Sequence, residues 1–326
     1  MESDTVRVAR TMDFMGELSL VDLVGVGLNA TDTLIPLSKF PERGSKVEYR
    51  QASILPGGQT ASAVIACQTW GLTTRYVGKL GEDDAARLHC REFARTGVDA
   101  RVLTAPHAAS AHSLILVDNG GERTVLCQRN EQVLLRPEDL RQEWIVNARA
   151  LLVDGFETAA AVQAASWARE AGIPVIADLD EMYDGVERLA TKVDYLVVSR
   201  DFPTRMTGER NLELALHKMR SRYGCAVTAA TLGQDGVLAW DGERFYLRPA
   251  YCVNVVDTTG AGDIFHAGFI YGLLQGWPLA RQLDFACAAA ALNCTRTGAR
   301  GGIGPVEEVE KLMATTPRYA EAPAAD

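Results

Sequence analysis

The sequence has no Walker A pattern, Gly-x-x-x-x-Gly-Lys-Ser/Thr, and no Gly-x-Gly-x-x-Gly follows its first apolar strand. P-loop and dinucleotide-binding readings both lose support from these absences. No Cys-x-x-Cys pair occurs among the seven cysteines, which stand at 67, 90, 127, 225, 252, 287 and 294. An odd, scattered set implies neither a disulfide frame nor a zinc cluster and is the usage of a reducing compartment. Positive charge is short: 33 Lys+Arg against 42 Asp+Glu give a formal net charge of −9. Without a basic stripe, no nucleic-acid partner is expected. No stretch approaches the ~20 uninterrupted apolar residues of a membrane span. The N-terminal segment carries Glu2, Asp4, Arg7, Arg10, Asp13 and Glu17 where a secretory leader would be apolar. These absences predict a soluble, cytoplasmic protein with no membrane partner, whose handling of any phosphate rests on a few local donors.

What is present is a chain of 326 residues, 47% apolar, long enough to bury a sizeable core. Val21 to Gly27 reads as a buried strand running into a glycine turn. Residues 32–56 alternate apolar and polar and read as a half-exposed hairpin, and 111–117 with 123–128 read as another around Asn119-Gly120-Gly121. Between them lie a small-residue helix from Thr60 to Trp70, stopped by Gly71, a strand from Thr74 to Leu80 and a helix from Ala85 to Thr96. Beyond residue 150 the rhythm is strand–helix–strand: 151–153, helix 158–171, 173–177, 193–198, helix 211–222, 226–231. Such spacing predicts right-handed βαβ units and a mostly parallel, doubly wound α/β sheet flanked by helices. Ala-rich helices at 262–275 and 279–296 follow, and the tail 315–326 reads as disordered. The expected organisation is one α/β domain over 20–310 with a small β-sheet lid built from the inserts 32–56 and 110–130. Exposed edge strands are sticky, so two lids are expected to pair into a homodimer.

The sharpest segment is Asp257-Thr-Thr259-Gly260-Ala261-Gly262-Asp263, where a strand enters a turn of tiny residues and a helix begins. Gly260, Ala261 and Gly262 carry nothing that would block a ligand, and their N–H groups would face outward at the positive end of the helix. A carboxylate at Asp263 beside an anion site makes sense if it takes a proton from a hydroxyl that attacks phosphorus. An isolated stretch of this kind is ordinarily a turn with a helix-start acid. Asp257, Thr259 and the small residues Ala267 and Gly268 shift the balance toward chemistry. Thr231-Leu-Gly233-Gln-Asp-Gly236 closes the preceding strand and is by itself a plain glycine hairpin. It gains weight from standing at the same sheet end, where open α/β sheets bind nucleotides. Gly57-Gly58-Gln-Thr-Ala-Ser62 opens a helix at the lid's edge, and Asn29 and Asp32 follow the first strand. These suit a polyol ligand or, equally, ordinary turns.

Together these segments resemble the PfkB, ribokinase-like, family of sugar and nucleoside kinases over residues 20–310. Asp257 to Asp263 matches that family's C-terminal signature. Gly57-Gly58, Gly71, Val77-Gly-Lys-Leu-Gly-Glu-Asp-Asp84 and Gly97-Val-Asp match its N-terminal pattern. The resemblance implies a kinase using ATP and Mg²⁺, with Asp263 as base and Gly260, Ala261 and Gly262 as the anion hole. It implies a nucleotide site at Thr231, Gly233, Gly236 and Asn293, and an acceptor site at Asp32, Gly57, Gly58 and Ser62. Asp257, Thr259 and carbonyls of the loop 296–302 would hold the monovalent cation, such as K⁺, that many members use. Two positions depart from the pattern: Ser199-Arg-Asp-Phe202 replaces the frequent Asn-x-x-Glu, and Ser62 stands where ribokinase-like members carry Asn. Ser199 and Asp263-Ile-Phe-His266 are similar to the ketohexokinase and sulfofructose-kinase branch. The expectation is phosphorylation of a primary hydroxyl, with ketohexose-type sugars favoured. A nucleoside kinase, a phosphosugar kinase (lid cations Lys39, Arg43, Lys46, Arg50 and Arg123) and a non-catalytic sugar- or nucleotide-binding protein on the same fold remain open.

Overall fold

In the computed structural model, which describes residues 18–118 and 123–320, strand-forming stretches alternate with amphipathic or Ala-rich helices. The strands are β1 (Val21–Val26), β2 (Ala30–Pro36), β3 (Ser53–Gly57), β4 (Thr74–Leu80), β5 (Asp99–Thr104), β6 (His112–Val117) and β7 (Arg123–Gln128), then β8 (Ala148–Asp154), β9 (Val175–Leu179), β10 (Tyr195–Ser199), β11 (Val227–Thr231), β12 (Val237–Trp240) and β13 (Phe245–Arg248). The helices are α1 (Gln59–Thr69), α2 (Asp84–Thr96), α3 (Gln142–Val146), α4 (Thr158–Glu170), α5 (Val186–Ala190), α6 (Phe202–Thr207), α7 (Leu212–Tyr223), α8 (Ala261–Leu274), α9 (Leu279–Asn293) and α10 (Val306–Thr315).

The large sheet has the order β13-β12-β11-β10-β9-β8-β1-β4-β5, parallel from β11 to β5, with β12 and β13 antiparallel at one edge. Period-two alternation sends successive strand residues to opposite faces. Leu23, Ala150, Leu152, Ile176 and Val197 join the core under α1, α8 and α9, whereas Val24, Leu151, Val153, Val175 and Val198 join the core under α3 to α7. Both faces are covered, which is why these strands read as nearly continuous apolar runs. The chain leaves β1 toward β4 on one side and later returns to β8 on the other, so β1 marks the switch point where an open sheet leaves a crevice.

The second sheet runs β3-β2-β6-β7 and stands apart from the first. Two hairpins supply it, β2 with β3 and β6 with β7, and they join through a parallel β2–β6 pairing that puts Asp32 opposite Ser113. The first hairpin has shorter arms than the alternation over 32–56 predicts, because residues 37–52 form an irregular, mostly exposed loop. The Asn119-Gly120-Gly121 turn and the polar leader lie outside the described residues.

Two further readings are corrected. The last helix before the C-terminal loop, expected over 279–296, ends at Asn293, and the tail read as disordered from 315 is held as far as Ala320. Cys252 N donates to Pro317 O at 2.8 Å and Tyr319 N to Ala250 O at 2.9 Å. The Arg318 guanidinium lies 4.1 Å from the Tyr251 ring and 2.5 Å from Asp284. Composition alone does not reveal that this arginine has an aromatic face and a carboxylate waiting for it. Residues 321–326 lie outside the described part. All seven cysteines are free.

Glu157, just ahead of α4, carries a testable cost. Its Oε1 accepts from Leu135 N at 3.0 Å, while Oε2 is buried and, among the described residues, unpartnered. Burial, helped by the Asp154 charge, pushes its pKa up from 4.5 to about 8. The folded chain therefore keeps a proton that the unfolded chain releases, so this group's contribution to stability falls as pH rises from about 4.5 to about 8. Glu157→Gln is expected to remove a slope of up to roughly 1.4 kcal/mol per pH unit, read by denaturant unfolding at pH 5.5 and 7.5. An unchanged slope would refute the assignment.

Candidate functional site

The crevice beside β1 is pinned by a carboxylate at the end of β8. Asp154 Oδ2 accepts from Leu28 N at 2.7 Å and Thr60 Oγ1 at 2.8 Å, and Oδ1 accepts from Phe156 N at 3.0 Å. This ties the exit of β1 to the first turn of α1. Two glycines then let β3 turn into α1 against the same backbone. A Cβ on Gly57 would fall 2.1 Å from Asp32 Oδ2, and one on Gly58 (φ 95°) would fall 2.6 Å from Asn29 Cα. Asp32 is thereby walled into the crevice. Burial, with the charge of Asp263 next in weight, pushes its pKa up to about 6, against a hydrogen bond from Ser113.

On the far side, two loops are knotted by Asp257. Its Oδ1 accepts from Thr259 N at 2.9 Å and its Oδ2 from Gly298 N at 2.8 Å. The chain then enters α8 through Gly260 in the left-handed region (φ 74°), pressed so closely on Ala299 that a Cβ would sit 2.3 Å from its carbonyl oxygen. Ala261 N donates to Thr258 O (3.2 Å) and Ile264 N to Gly260 O (2.9 Å). Among the described residues the amides of Gly262 and Asp263 have no backbone partner. A Cβ on Gly262 would meet nothing within 4 Å, so packing does not require a glycine there. Gly262 is exposed, and these amides stand at the positive end of a helix, the arrangement of a candidate anion cradle.

Asp263 stands beside that cradle, hydrogen-bonded to Ser62. Burial is the main cause that pushes its pKa up to about 6, with Asp180 adding and Arg300, Ser62 and Arg123 opposing. The crevice thus holds Asp263 above the ordinary carboxylate range, a shift that its surroundings impose. Beneath it, His266 Nδ1 lies 2.8 Å from Gly262 O and 3.3 Å from Asp178 Oδ2, and Nε2 lies 3.2 Å from Val197 O. His266 anchors the first turn of α8 to β10.

Several expected site residues sit differently. Asn293, expected in the nucleotide site, is fully buried and acts as a strut. It donates to Thr259 O (3.2 Å) and Ala299 O (3.1 Å) and accepts from Gly302 N (3.1 Å), so both amide hydrogens are already engaged by backbone. Ser62, expected to face the acceptor, is also fully buried, with its hydroxyl held between Arg300 and Asp263. Gly236 is dictated by packing, since a Cβ there would lie 1.8 Å from Arg248 O. Thr231 Oγ1 donates to Val198 O at 3.3 Å, and Gly233 borders open space. Of the lid cations, Lys39, Arg43, Lys46 and Arg50 lie on the exposed loop 37–52, whereas Arg123 donates to Thr258 Oγ1 at 2.9 Å. Sequence reasoning missed Asp178, Asp180 and Arg300. The first two end a strand in an apolar run, a signal that was available. Arg300 sits in a glycine-rich loop and reaches the crevice only through the fold.

The donor sets bear differently on the two expected cations. Among the described residues no group of three or more His, Cys, Asp or Glu side chains could hold a metal. Thr259 Oγ1 is buried and, among the described residues, without a partner. An orphaned oxygen fits a monovalent cation there, though the neighbouring Thr259 and Ala299 carbonyls are already engaged by Asn293.

Residues 23–304 match the family described as pfkB family carbohydrate kinase. Aminoimidazole riboside kinase of Salmonella typhimurium is 32% identical over 279 residues, 78% of this chain and 86% of that protein. The 5-dehydro-2-deoxygluconokinase of Geobacillus kaustophilus is 25% identical over 282 residues, 79% of this chain and 84% of that protein. The solved structure of Arabidopsis thaliana ribokinase complexed with ribose and ATP superposes with a TM-score of 0.75 at 24% identity, covering 90% of this chain and 99% of that one. It shares the fold, including the small separate sheet. These relatives give the ketohexose branch no support. If Gly262 serves a ligand and not the fold, Gly262→Ala should unfold no earlier than wild type, since alanine favours a helix by up to about 1 kcal/mol. It should bind ATP at least tenfold more weakly by titration calorimetry, a loss of about 1.4 kcal/mol. Unchanged affinity would remove the cradle from the site.

Proposed function

This chain belongs to the pfkB family of carbohydrate kinases, and we propose that Asp263 is the general base for transfer of the γ-phosphoryl group of ATP to a hydroxyl of a small neutral carbohydrate. One observation carries this reading: the half-buried carboxylate of Asp263 and the amides of Gly262 and Asp263, which have no backbone partner among the described residues, share the first turn of α8, where a side chain on Gly262 would meet no neighbouring element. The acceptor oxygen forms a bond to the γ-phosphorus as the bond to the ADP oxygen breaks, and the hydroxyl proton passes to Asp263. The amides stabilise charge on the transferred group as it moves. Arg123, reaching from β7 to the cradle's edge, adds positive charge and joins the small sheet to the body, so that water is excluded when the crevice is filled. Bound Mg²⁺ would neutralise phosphate charge.

The acceptor's chemistry follows from its walls. Asp32 and Asp263 face it, with Asp178 and Asp180 close enough to interact with Asp263. Carboxylates accept hydrogen bonds from hydroxyls and repel a second anion, which favours a neutral polyol over a phosphosugar. The identity to a riboside kinase favours a riboside as the second reading. Release of ADP, followed across ketohexoses, pentoses, ribosides and sugar phosphates, separates the acceptors. A sugar phosphate as the best substrate would overturn the electrostatic argument.

Asp263→Asn should fold, bind ATP and lose roughly 10²–10⁴-fold in turnover. Near-wild-type turnover would remove Asp263 from the role. Since Asp263 and Asp32 each lie at about 6, kcat/KM should fall on the acid side of that pH as the pair takes up protons.

The homodimer reading rests on the small sheet. Register puts Ile54, Leu114 and Leu126 on one face, with Ile54 67% and Leu126 52% exposed, and β7 is exposed along its length. A second copy of this face is the natural cover. Sedimentation at micromolar concentration should give a dimer, and Ile54→Asp with Leu126→Asp a monomer. A monomeric wild-type protein would refute the pairing.

A further inference from the structure

The guanidinium of Arg300 is the least expected group in the crevice. It comes from the loop after α9, is only 5% exposed, and forms an ion pair with Glu92 of α2. Its Nε donates to Ser62 Oγ at 3.1 Å, and its Nη2 donates to Gly57 O at 2.5 Å and lies 3.4 Å from Asn29 Oδ1. One planar side chain thus touches α1, α2, the exit of β1 and the end of β3, the elements that frame the acceptor.

We propose that Arg300, braced by Glu92, is a positioning residue that orients the Ser62 hydroxyl toward Asp263. The inference rests on the reading of Asp263 as base. A serine hydroxyl has one proton and accepts through its lone pairs. With Nε–H of Arg300 donating to Ser62 Oγ at 3.1 Å, that single proton is left free to turn to Asp263, whose pKa the Ser62 hydroxyl draws down. One carboxylate oxygen of Asp263 is thereby fixed in place, and its remaining lone pairs are turned to the crevice for the acceptor's proton. The guanidinium is well suited to this task because its donors are rigidly forked. Glu92 makes the geometry unique by holding Nη1 on the side away from the crevice. The other charges around Asp263 are Asp180 and Asp178 from the end of β9, Asp32 from β2 and Arg123 from β7. None of the hydrogen bonds described above ties any of these four to Ser62.

Steady-state kinetics on the full chain test the proposal. Arg300→Met should lower kcat roughly 10–100-fold, the size of a small misplacement of a reacting group, with the KM for ATP changed no more than about twofold. Ser62→Ala should cost about as much, and the double variant should lose no more than about twofold beyond either single one, because both remove the same link. Arg300→Lys keeps the charge but lacks the fork, so it should stay nearer to Arg300→Met than to wild type. Arg300→Met leaves Glu92 buried without its partner and can fail to fold. The pair Arg300→Met with Glu92→Gln leaves no lone charge and carries the same kinetic expectation. Full recovery by lysine, independent multiplication of the two losses, or wild-type kcat in the folded charge-free pair would each overturn the proposal. Asp263→Asn separates the two levels. If that variant keeps its turnover, the base assignment fails first; if it loses turnover while Arg300→Met does not, only the positioning role fails.

Discussion

The carboxylate of Asp257 holds two loops in one arrangement, and the rest of the site inherits its geometry from that. By accepting from Thr259 N on one oxygen and Gly298 N on the other, it presses the start of α8 against the loop after α9. Asn293 makes the same junction from below. Gly260 must be glycine because the Ala299 backbone arrives where its side chain would be. The open amides of Gly262 and Asp263, and the path of Arg300 into the crevice, both start from this junction. A charged group accepting backbone N–H bonds is among the stronger hydrogen-bonding arrangements available to a protein, and here it is buried where water does not compete.

The electrostatic character of the crevice is acid-rich but poised. Asp32, Asp154 and Asp263 each sit near 6 because burial opposes their ionised forms; hydrogen bonds bring all three part of the way back, and Arg300 helps at Asp32 and Asp263. Such carboxylates are costly to keep and are found where proton transfer is wanted. Asp154 is the exception in role, since its oxygens are taken by Leu28, Thr60 and Phe156. Its contribution is to hold the entrance of the crevice in shape.

The strand–helix alternation was legible because parallel strands covered on both faces must be apolar throughout, and because left-handed glycines such as Gly71 and Gly97 mark where helices stop. The candidate anion site could be picked out for a similar reason: tiny residues at a helix start leave the backbone open to approach. What could not be read was anything set by side-chain reach across the fold. The resemblance implied a nucleotide contact at Asn293, yet its amide bonds three backbone groups that only folding brings near. Ser62 looked available, and its burial between Arg300 and Asp263 depends on a loop more than two hundred residues away. The raised pKa of Asp263 is likewise a property of its surroundings. Membership of the family fixes the reaction class, while the acceptor depends on these less visible contacts.

The parallel join between β2 and β6 has a consequence for the order of folding. Asp32 meets Ser113 across a loop of about eighty residues that contains α1, β4, α2 and β5. Closing so long a loop is entropically unfavourable until the intervening elements have condensed. The small sheet is therefore a late assembly: neither hairpin can complete it alone. A nascent chain carries Asp32 exposed at a bare strand edge until the body beneath has formed, so the wall of the crevice that Asp32 supplies is among the last surfaces to be finished.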